Sequence, residues 1–269
     1  MSSEKKLYEK VRSAQQICGT HMALNCPQTT EILGSVGFDF IWVDTEHTAA
    51  SYQDLYYHIK GAQAAGTPVI VRVPMHDRNF VKKVLEMGVD GIIFPMVNTP
   101  EEAERDMSYV MYPPHGIRGF GPLAAVHWGA DDLQEYIDHS DERLCRFIQI
   151  ETAQAVKNLP EIVKNPYIDG YIFGPCDHST IGIVVTTDGS IGELNNVFGE
   201  HTIALIKEAI AILKENKKCI GVSTGSDDPA VLQFWHDLGI NMISTGVDYD
   251  YMRRAAVKNL ANIRKIQEN

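Results

Sequence analysis

Asp39-Phe40-Ile41-Trp42-Val43-Asp44-Thr45-Glu46-His47 holds four consecutive apolar residues and then turns abruptly polar. So short and so apolar a run reads as a strand buried on both faces, as in parallel sheets, with its C-terminal end opening onto solvent. Seven more runs of this kind punctuate the chain: Gln16 to Gly19, Pro68 to Val73, Gly91 to Pro95, Arg146 to Glu151, Gly170 to Gly174, Cys219 to Ser223 and Asn241 to Gly246. Segments of helical period separate them. Their starts are marked by Asn98-Thr99-Pro100-Glu101-Glu102 and Ser226-Asp227-Asp228-Pro229, and their ends by Gly37, Gly66, Gly88 and Gly239. Eight strands alternating with helices, with no GxGxxG after the first strand and no break in composition, predict an α/β fold: a single (β/α)8 TIM barrel as one domain over residues 1–269. Two connections, Met111 to Leu144 and Pro175 to Glu200, are longer than a simple helix, and long loops in a compact barrel are expected to wall a site.

Of the 269 residues, 44% are hydrophobic and 22% charged, enough to bury a core without metals or disulfides. Lysine and arginine number 24 against 35 acidic residues, a net charge of -11 that repels nucleic acid and anionic membrane. Five cysteines without CxxC spacing argue against a disulfide framework and for a reducing compartment, the cytoplasm. Met1 to Arg12 lacks the apolar core of a secretory leader and no run of 18 apolar residues occurs, so neither secretion nor membrane spanning is expected. A terminal helix from about Asp248 to Gln267 carries Tyr251, Met252, Ala255, Ala256, Leu260 and Ile263 at spacings of three and four. Such a stripe suits either the barrel's outer layer or a partner subunit.

In a TIM barrel, polar residues at the C-terminal ends of strands converge on one rim. That rule gathers Asp44, Glu46 and His47, then Arg72, then Gln149 and Glu151, and Asp177 beyond Gly174-Pro175-Cys176. Glu151 and Asp177 leave neighbouring strands, and two carboxylates so placed suit one hard divalent cation such as Mg²⁺ or Mn²⁺. The structural alternative is that Glu151 caps the next helix and Asp177 bonds loop amides. Arg72 follows Val69-Ile70-Val71 and needs an anionic partner, either a substrate or Asp44 or Glu46. His47 can act as a base near neutral pH, with Glu86 on the helix after the third strand as its orienting carboxylate. The other histidines are expected mostly at the surface or in loops. HExxH, GxSxG and P-loop patterns are absent, and no lysine ends a strand, which disfavours imine chemistry.

The segments 39–47, Val71-Arg72-Val73-Pro74, Gly91-Ile92-Ile93-Phe94-Pro95-Met96-Val97, Tyr112-Pro113-Pro114-His115-Gly116-Ile117-Arg118-Gly119, Gln149-Ile150-Glu151-Thr152 and Gly174-Pro175-Cys176-Asp177 stand in an order that resembles the HpcH/HpaI aldolases over about residues 18 to 250. These are metal-dependent pyruvate aldolases of the 4-hydroxy-2-oxo-heptanedioate and 2-dehydro-3-deoxyglucarate type. The resemblance implies a divalent-metal-dependent enzyme that reversibly cleaves a 4-hydroxy-2-oxo acid to pyruvate and an aldehyde. It places the metal ligands on Glu151 and Asp177, the catalytic groups on His47, Arg72 and Glu86, and substrate contacts on Arg72, Gln149, Cys176 and Asp177. It also implies a homo-oligomer, a hexamer built from dimers or trimers, with the C-terminal helix exchanged between subunits. The chain departs from the family at Glu86, where aspartate is usual, and at His178-Ser179, where leucine and serine are usual. A pyruvate-enolate decarboxylase or acyl-CoA lyase on the same scaffold is the second reading, and a noncatalytic binding barrel the third.

Overall fold

Eight parallel strands pair in sequence order and the last pairs back onto the first, closing a barrel in the computed structural model, which describes residues 6–174, 190–193 and 196–268. The strands are β1 (Ile17–Met22), β2 (Phe40–Asp44), β3 (Val69–Arg72), β4 (Gly91–Phe94), β5 (Cys145–Gln149), β6 (Gly170–Phe173), β7 (Cys219–Thr224) and β8 (Met242–Val247). A short helix α1 (Leu7–Arg12) precedes them. Around the sheet run α2 (Pro27–Gly34), α3 (Tyr52–Ala65), α4 (Arg78–Glu86), α5 (Pro100–Val110), α6 (Leu133–Arg143), α7 (Ala153–Ile162), α8 (Glu200–Glu215) and α9 (Pro229–Leu238), followed by α10 (Asp248–Gln267). No helix among the described residues is long and apolar enough to cross a membrane.

Helix boundaries follow local chemistry. Thr99 caps α5 by accepting from the Glu102 amide while the Glu102 carboxylate accepts from the Thr99 amide, and Pro100 fills a first-turn position that needs no donor. Ser51 and Asp54 do the same for α3, whose end at Gly66 takes φ 73°, a left-handed conformation that costs glycine little.

The lumen sorts large against small. Phe40, Trp42, Ile70, Ile93, Phe147 and Ile172 form one buried cluster, which Leu7 and Val11 of α1 plug from below. Each strand neighbour must leave room. A Cβ on Gly91 would sit 2.6 Å from Ile70 Cγ2, one on Gly170 2.8 Å from Phe147 Cδ1, and one on Gly221 2.9 Å from Ile172 Cγ1. Glycine inside a strand weakens it, and close interior packing is the compensation.

At the lower end a fourfold pattern fixes the register. Asp39, Asp90, Asp169 and Asn241 stand immediately before β2, β4, β6 and β8. Each donates its backbone N–H to the preceding odd strand, at the carbonyls of Cys18, Val69, Arg146 and Ile220. Each side chain then accepts the N–H of that same residue, at 2.9, 2.8, 2.9 and 2.9 Å respectively. The signal was present in the chain as an apolar residue followed by Asp or Asn at every second strand.

The structure corrects three expectations. β1 runs on to Met22, so His21 lies inside the barrel; His58 is also buried, its Nδ1 2.6 Å from Thr30 Oγ1. The Met111 to Leu144 connection joins the end of α5 to the start of β5, which sets it at the barrel end opposite the catalytic rim, where it folds a 3₁₀ turn (Ala124–Gly129) and α6. It therefore does not wall this chain's own rim. The Pro175 to Glu200 connection lies mostly outside the described residues.

Burial pushes the Asp90 carboxyl up, and the Val69 amide and the charge of Lys6 only partly oppose it. A carboxyl raised in the folded state costs stability above its folded pKa, and the cost vanishes as pH falls below the unfolded value. Asp90→Asn keeps the acceptor, as Asn241 does in the fourth repeat, and should be at least as stable as the parent at pH 7, the difference shrinking in acid. Asp90→Ala leaves the Val69 amide unpaired and should lose about 1–3 kcal/mol. Urea denaturation of both variants at pH 7 and pH 4 checks this.

Candidate active site

The upper layer of the lumen is polar because β2, β3, β5 and β7 end in polar residues, and β1 and β8 carry His21 and Ser244, just where the apolar filling stops. Asp44 on β2 and Arg72 on β3 are register partners. Arg72 Nε donates to Asp44 Oδ1 at 2.9 Å and Nη2 to Asp44 Oδ2 at 2.8 Å, a two-pronged pair with both side chains buried. Nη1 donates to Gln149 Oε1 at 3.3 Å and lies 3.0 Å from Glu46 Oε2. Gln149 Nε2 in turn donates to Glu151 Oε1 at 2.9 Å, and the Met96 amide donates to Glu151 Oε2 at 3.0 Å. Met96 takes φ 53°, a left-handed conformation costing about 1–2 kcal/mol in a residue with a side chain, and so aims its N–H at the carboxylate.

A continuous polar chain thus crosses the rim from Asp44 through Arg72 and Gln149 to Glu151. Thr152, not Glu151, caps α7, by accepting from the Ala155 amide. Glu151 is left with a buried carboxylate turned toward the rim, and Gly174 lies so close that a Cβ there would meet Glu151 Oε1 at 2.8 Å. The chain enters the Pro175-Cys176-Asp177 segment from this point. Cys176, Asp177 and His178 lie outside the described residues.

Among the described residues charge does not balance at the rim. Asp44, Glu46 and Glu151 surround one guanidinium. Burial works to raise the Asp44 carboxyl, but the Arg72 charge and hydrogen bonds outweigh it and hold Asp44 below the usual range. Glu46 and Glu151 go the other way: burial raises both, Arg72 only partly offsets it, and Glu151 further raises Glu46. A pocket with too many buried carboxylates for its cations has the donor chemistry that a hard divalent ion satisfies. Among the described residues no three acidic, histidine or cysteine side chains converge as a metal cluster.

His47 stands at the mouth, its side chain 36% exposed and its Nε2 3.5 Å from Glu46 Oε2. Glu86 is elsewhere. It ends α4, a nine-residue helix that runs back from the rim, and its Oε1 lies 2.9 Å from where a Cβ on Gly121 would stand, in the lower connection. Among the described residues of one chain the carboxylate beside His47 is Glu46. The structure therefore brings together His47, Arg72, Gln149 and Glu151, and sets Glu86 apart.

His21 escaped the sequence reading because a histidine two residues past an expected strand end looks like loop. Its ring lies in the lumen with Nδ1 2.9 Å from Ser244 Oγ and Nε2 3.2 Å from Ser223 Oγ. Burial, helped by the Arg72 charge, pushes it down to about 3, so the imidazole is neutral.

Removing Asp44 should take from the buried guanidinium its two-pronged partner, leaving Glu46 and Gln149 on one edge. Asp44→Ala is expected to lose about 1–3 kcal/mol in chemical denaturation at pH 7. Because the folded Asp44 pKa is depressed, the pair's contribution is present above the unfolded value and fades as acid titrates the folded carboxyl. The gap between parent and variant should narrow with falling pH.

The family model described as HpcH/HpaI aldolase/citrate lyase matches residues 18–228. A hydroxypyruvate/pyruvate aldolase from Delftia acidovorans is 30% identical over 259 residues, covering 96% of this chain and 91% of the relative. A 4-hydroxy-2-oxo-heptane-1,7-dioate aldolase from Shigella sonnei is 29% identical over 238 residues, covering 88% of this chain and 87% of the relative. Among solved structures, an HpcH/HpaI aldolase/citrate lyase family protein from Burkholderia cenocepacia superimposes with a TM-score of 0.87 at 22% identity, covering 97% of this chain and all of that one, which shows the shared fold. With a closed barrel, a family model spanning most of its length and a relative 30% identical over 96% of it, the chain belongs to the HpcH/HpaI aldolase/citrate lyase family.

Proposed function

We propose that this chain is a pyruvate aldolase that reversibly cleaves a 4-hydroxy-2-oxo acid to pyruvate and an aldehyde with the help of a divalent cation. The observation that carries the reading is the Asp44–Arg72–Gln149–Glu151 chain beside an excess of buried carboxylate. Glu151, joined by Asp177, would hold the cation, which when bound supplies a Lewis acid for the 2-keto oxygen. Mg²⁺ and Mn²⁺ both suit all-carboxylate ligands.

The remaining work falls to the chain's own side chains. Arg72, oriented by Asp44, offers its guanidinium to the oxygen on which negative charge develops as the C3–C4 bond breaks. His47 takes the proton from the 4-hydroxyl as the aldehyde leaves, and returns a proton to C3 of the enolate to give pyruvate. Gln149 holds Arg72 and Glu151 at a fixed separation. Glu46 orients His47 from 3.5 Å. Cys176 and Asp177 complete the substrate side.

Deuterium exchange into the pyruvate methyl group tests enolate formation without knowledge of the aldehyde. The parent should exchange in a Mn²⁺-dependent manner, Glu151→Gln should lose the metal-dependent part, and folded Arg72→Ala should slow on the order of 10²- to 10³-fold. Absence of metal-dependent exchange in the parent would remove the aldolase reading.

The homo-oligomer rests on α10. Its base is tied to the barrel: Asp248 accepts from the amides of Ala23 and Leu24, and Arg254 pairs with Asp250 and Asp227. Tyr251 of the expected stripe bonds Thr20 and the Thr245 carbonyl of the barrel, but beyond it Val257, Leu260, Ile263 and Ile266 are each more than half exposed, an apolar face this chain leaves uncovered. A second copy covering α10 buries it. Light scattering should report an oligomer, and Leu260→Asp with Ile263→Asp should shift it toward monomer; an unchanged mass in that double variant would remove the assignment.

A further inference from the structure

Beneath Arg72 lies a stack that the reaction as described does not use. His21, Trp42 and Arg72 sit on three consecutive strands, and His21 and Trp42 are direct register partners. The His21 and Trp42 ring centroids are 4.5 Å apart with planes inclined by 34°, and Arg72 Cζ lies 5.5 Å from the Trp42 ring centroid. Trp42 is fully buried, and its indole N–H has no hydrogen-bond partner among the described residues. The indole is thus held by its faces and not by its polar edge, and what fixes it is what stands beside it.

Two contacts fix His21. Ser244 on β8 and Ser223 on β7 take one ring nitrogen each, so the imidazole can neither rotate nor tilt without losing a buried hydrogen bond. Cation–π attraction between the desolvated guanidinium and the indole face biases where the guanidinium rests. Asp44 fixes one edge of Arg72; the indole limits its descent into the lumen. We propose that His21, pinned between Ser223 and Ser244, is a positioning residue that sets the Arg72 guanidinium through Trp42, so that β7 and β8 take part in placing the cation that meets the enolate. The inference rests on the role given to Arg72 above.

The sequence of contacts explains the residue types. An aliphatic side chain at position 21 would fill the space but leave the Ser223 and Ser244 hydroxyls without that partner. A cationic one would set a second positive charge against the neighbour of Arg72, and the buried site keeps the imidazole neutral. A ring with one donor and one acceptor meets both demands.

The test uses the Mn²⁺-loaded full chain and two readouts, pyruvate deuterium exchange and modification of Arg72 by phenylglyoxal mapped by mass spectrometry. In His21→Ala, a guanidinium that has lost its backing should react several-fold faster with phenylglyoxal. Exchange should slow by roughly 10- to 100-fold, the scale of a small misplacement, with the loss in kcat exceeding any change in the KM for pyruvate. His21→Phe, which restores a ring against the indole, should recover part of both. If His21→Ala does not fold, the Ser223→Ala, Ser244→Ala double variant carries the same test, with smaller changes of the same sign. Unchanged Arg72 reactivity and unchanged exchange in either folded variant overturn the proposal. A parent without metal-dependent exchange would sink the aldolase reading instead, and the phenylglyoxal comparison would still decide whether His21 holds Arg72.

Discussion

Closing eight parallel strands leaves a lumen that must be filled, and this constraint organises the molecule. Large side chains on some strands face glycines on their neighbours, as Ile70 faces Gly91 and Phe147 faces Gly170. The apolar filling occupies the lower and middle lumen. Above it the inward positions fall to Asp44, Arg72, Gln149, His21, Ser223 and Ser244, which cannot reach bulk water freely and so must satisfy one another. A site built this way is rigid because every strand that contributes to it is locked on both edges.

The lower and upper ends solve different problems with the same residue type. Below, the carboxylates of Asp39 and Asp169 and the amide of Asn241 accept backbone N–H groups where strands begin, and Lys10, Arg12 and Arg146 balance two of the charges. Above, Asp44, Glu46 and Glu151 outnumber Arg72, and two of the three have raised pKa values. Acid groups at the lower end maintain register and are met by backbone amides and basic side chains; at the upper end, among the described residues, they stand in excess of the one guanidinium they surround.

Arg72 is where structure and chemistry meet. Its bidentate pair with Asp44 stabilises a buried charge, and the same pair turns the remaining donors toward Gln149 and the rim. Pairing and availability are compatible because guanidinium has five N–H donors in a fixed fork.

Local periodicity determined much of this protein. Short β-branched runs, caps such as Thr99-Pro100 and glycine stops predicted the barrel, and the polar endings of those runs placed Asp44, His47, Arg72, Gln149 and Glu151 on one rim, because in a parallel barrel all strand ends of one sense share a face. What tertiary structure alone decided concerns partners distant in sequence. The neighbour of His47 is Glu46 and not Glu86, since α4 carries Glu86 away from the rim. The Met111 to Leu144 connection belongs to the lower end because it joins a helix end to a strand start. His21 enters the lumen because β1 extends three residues further than its composition suggests, and no local pattern reports that Ser223 and Ser244, some two hundred residues away, will receive its ring. Periodicity encodes which face a residue takes; only barrel closure sets which faces meet.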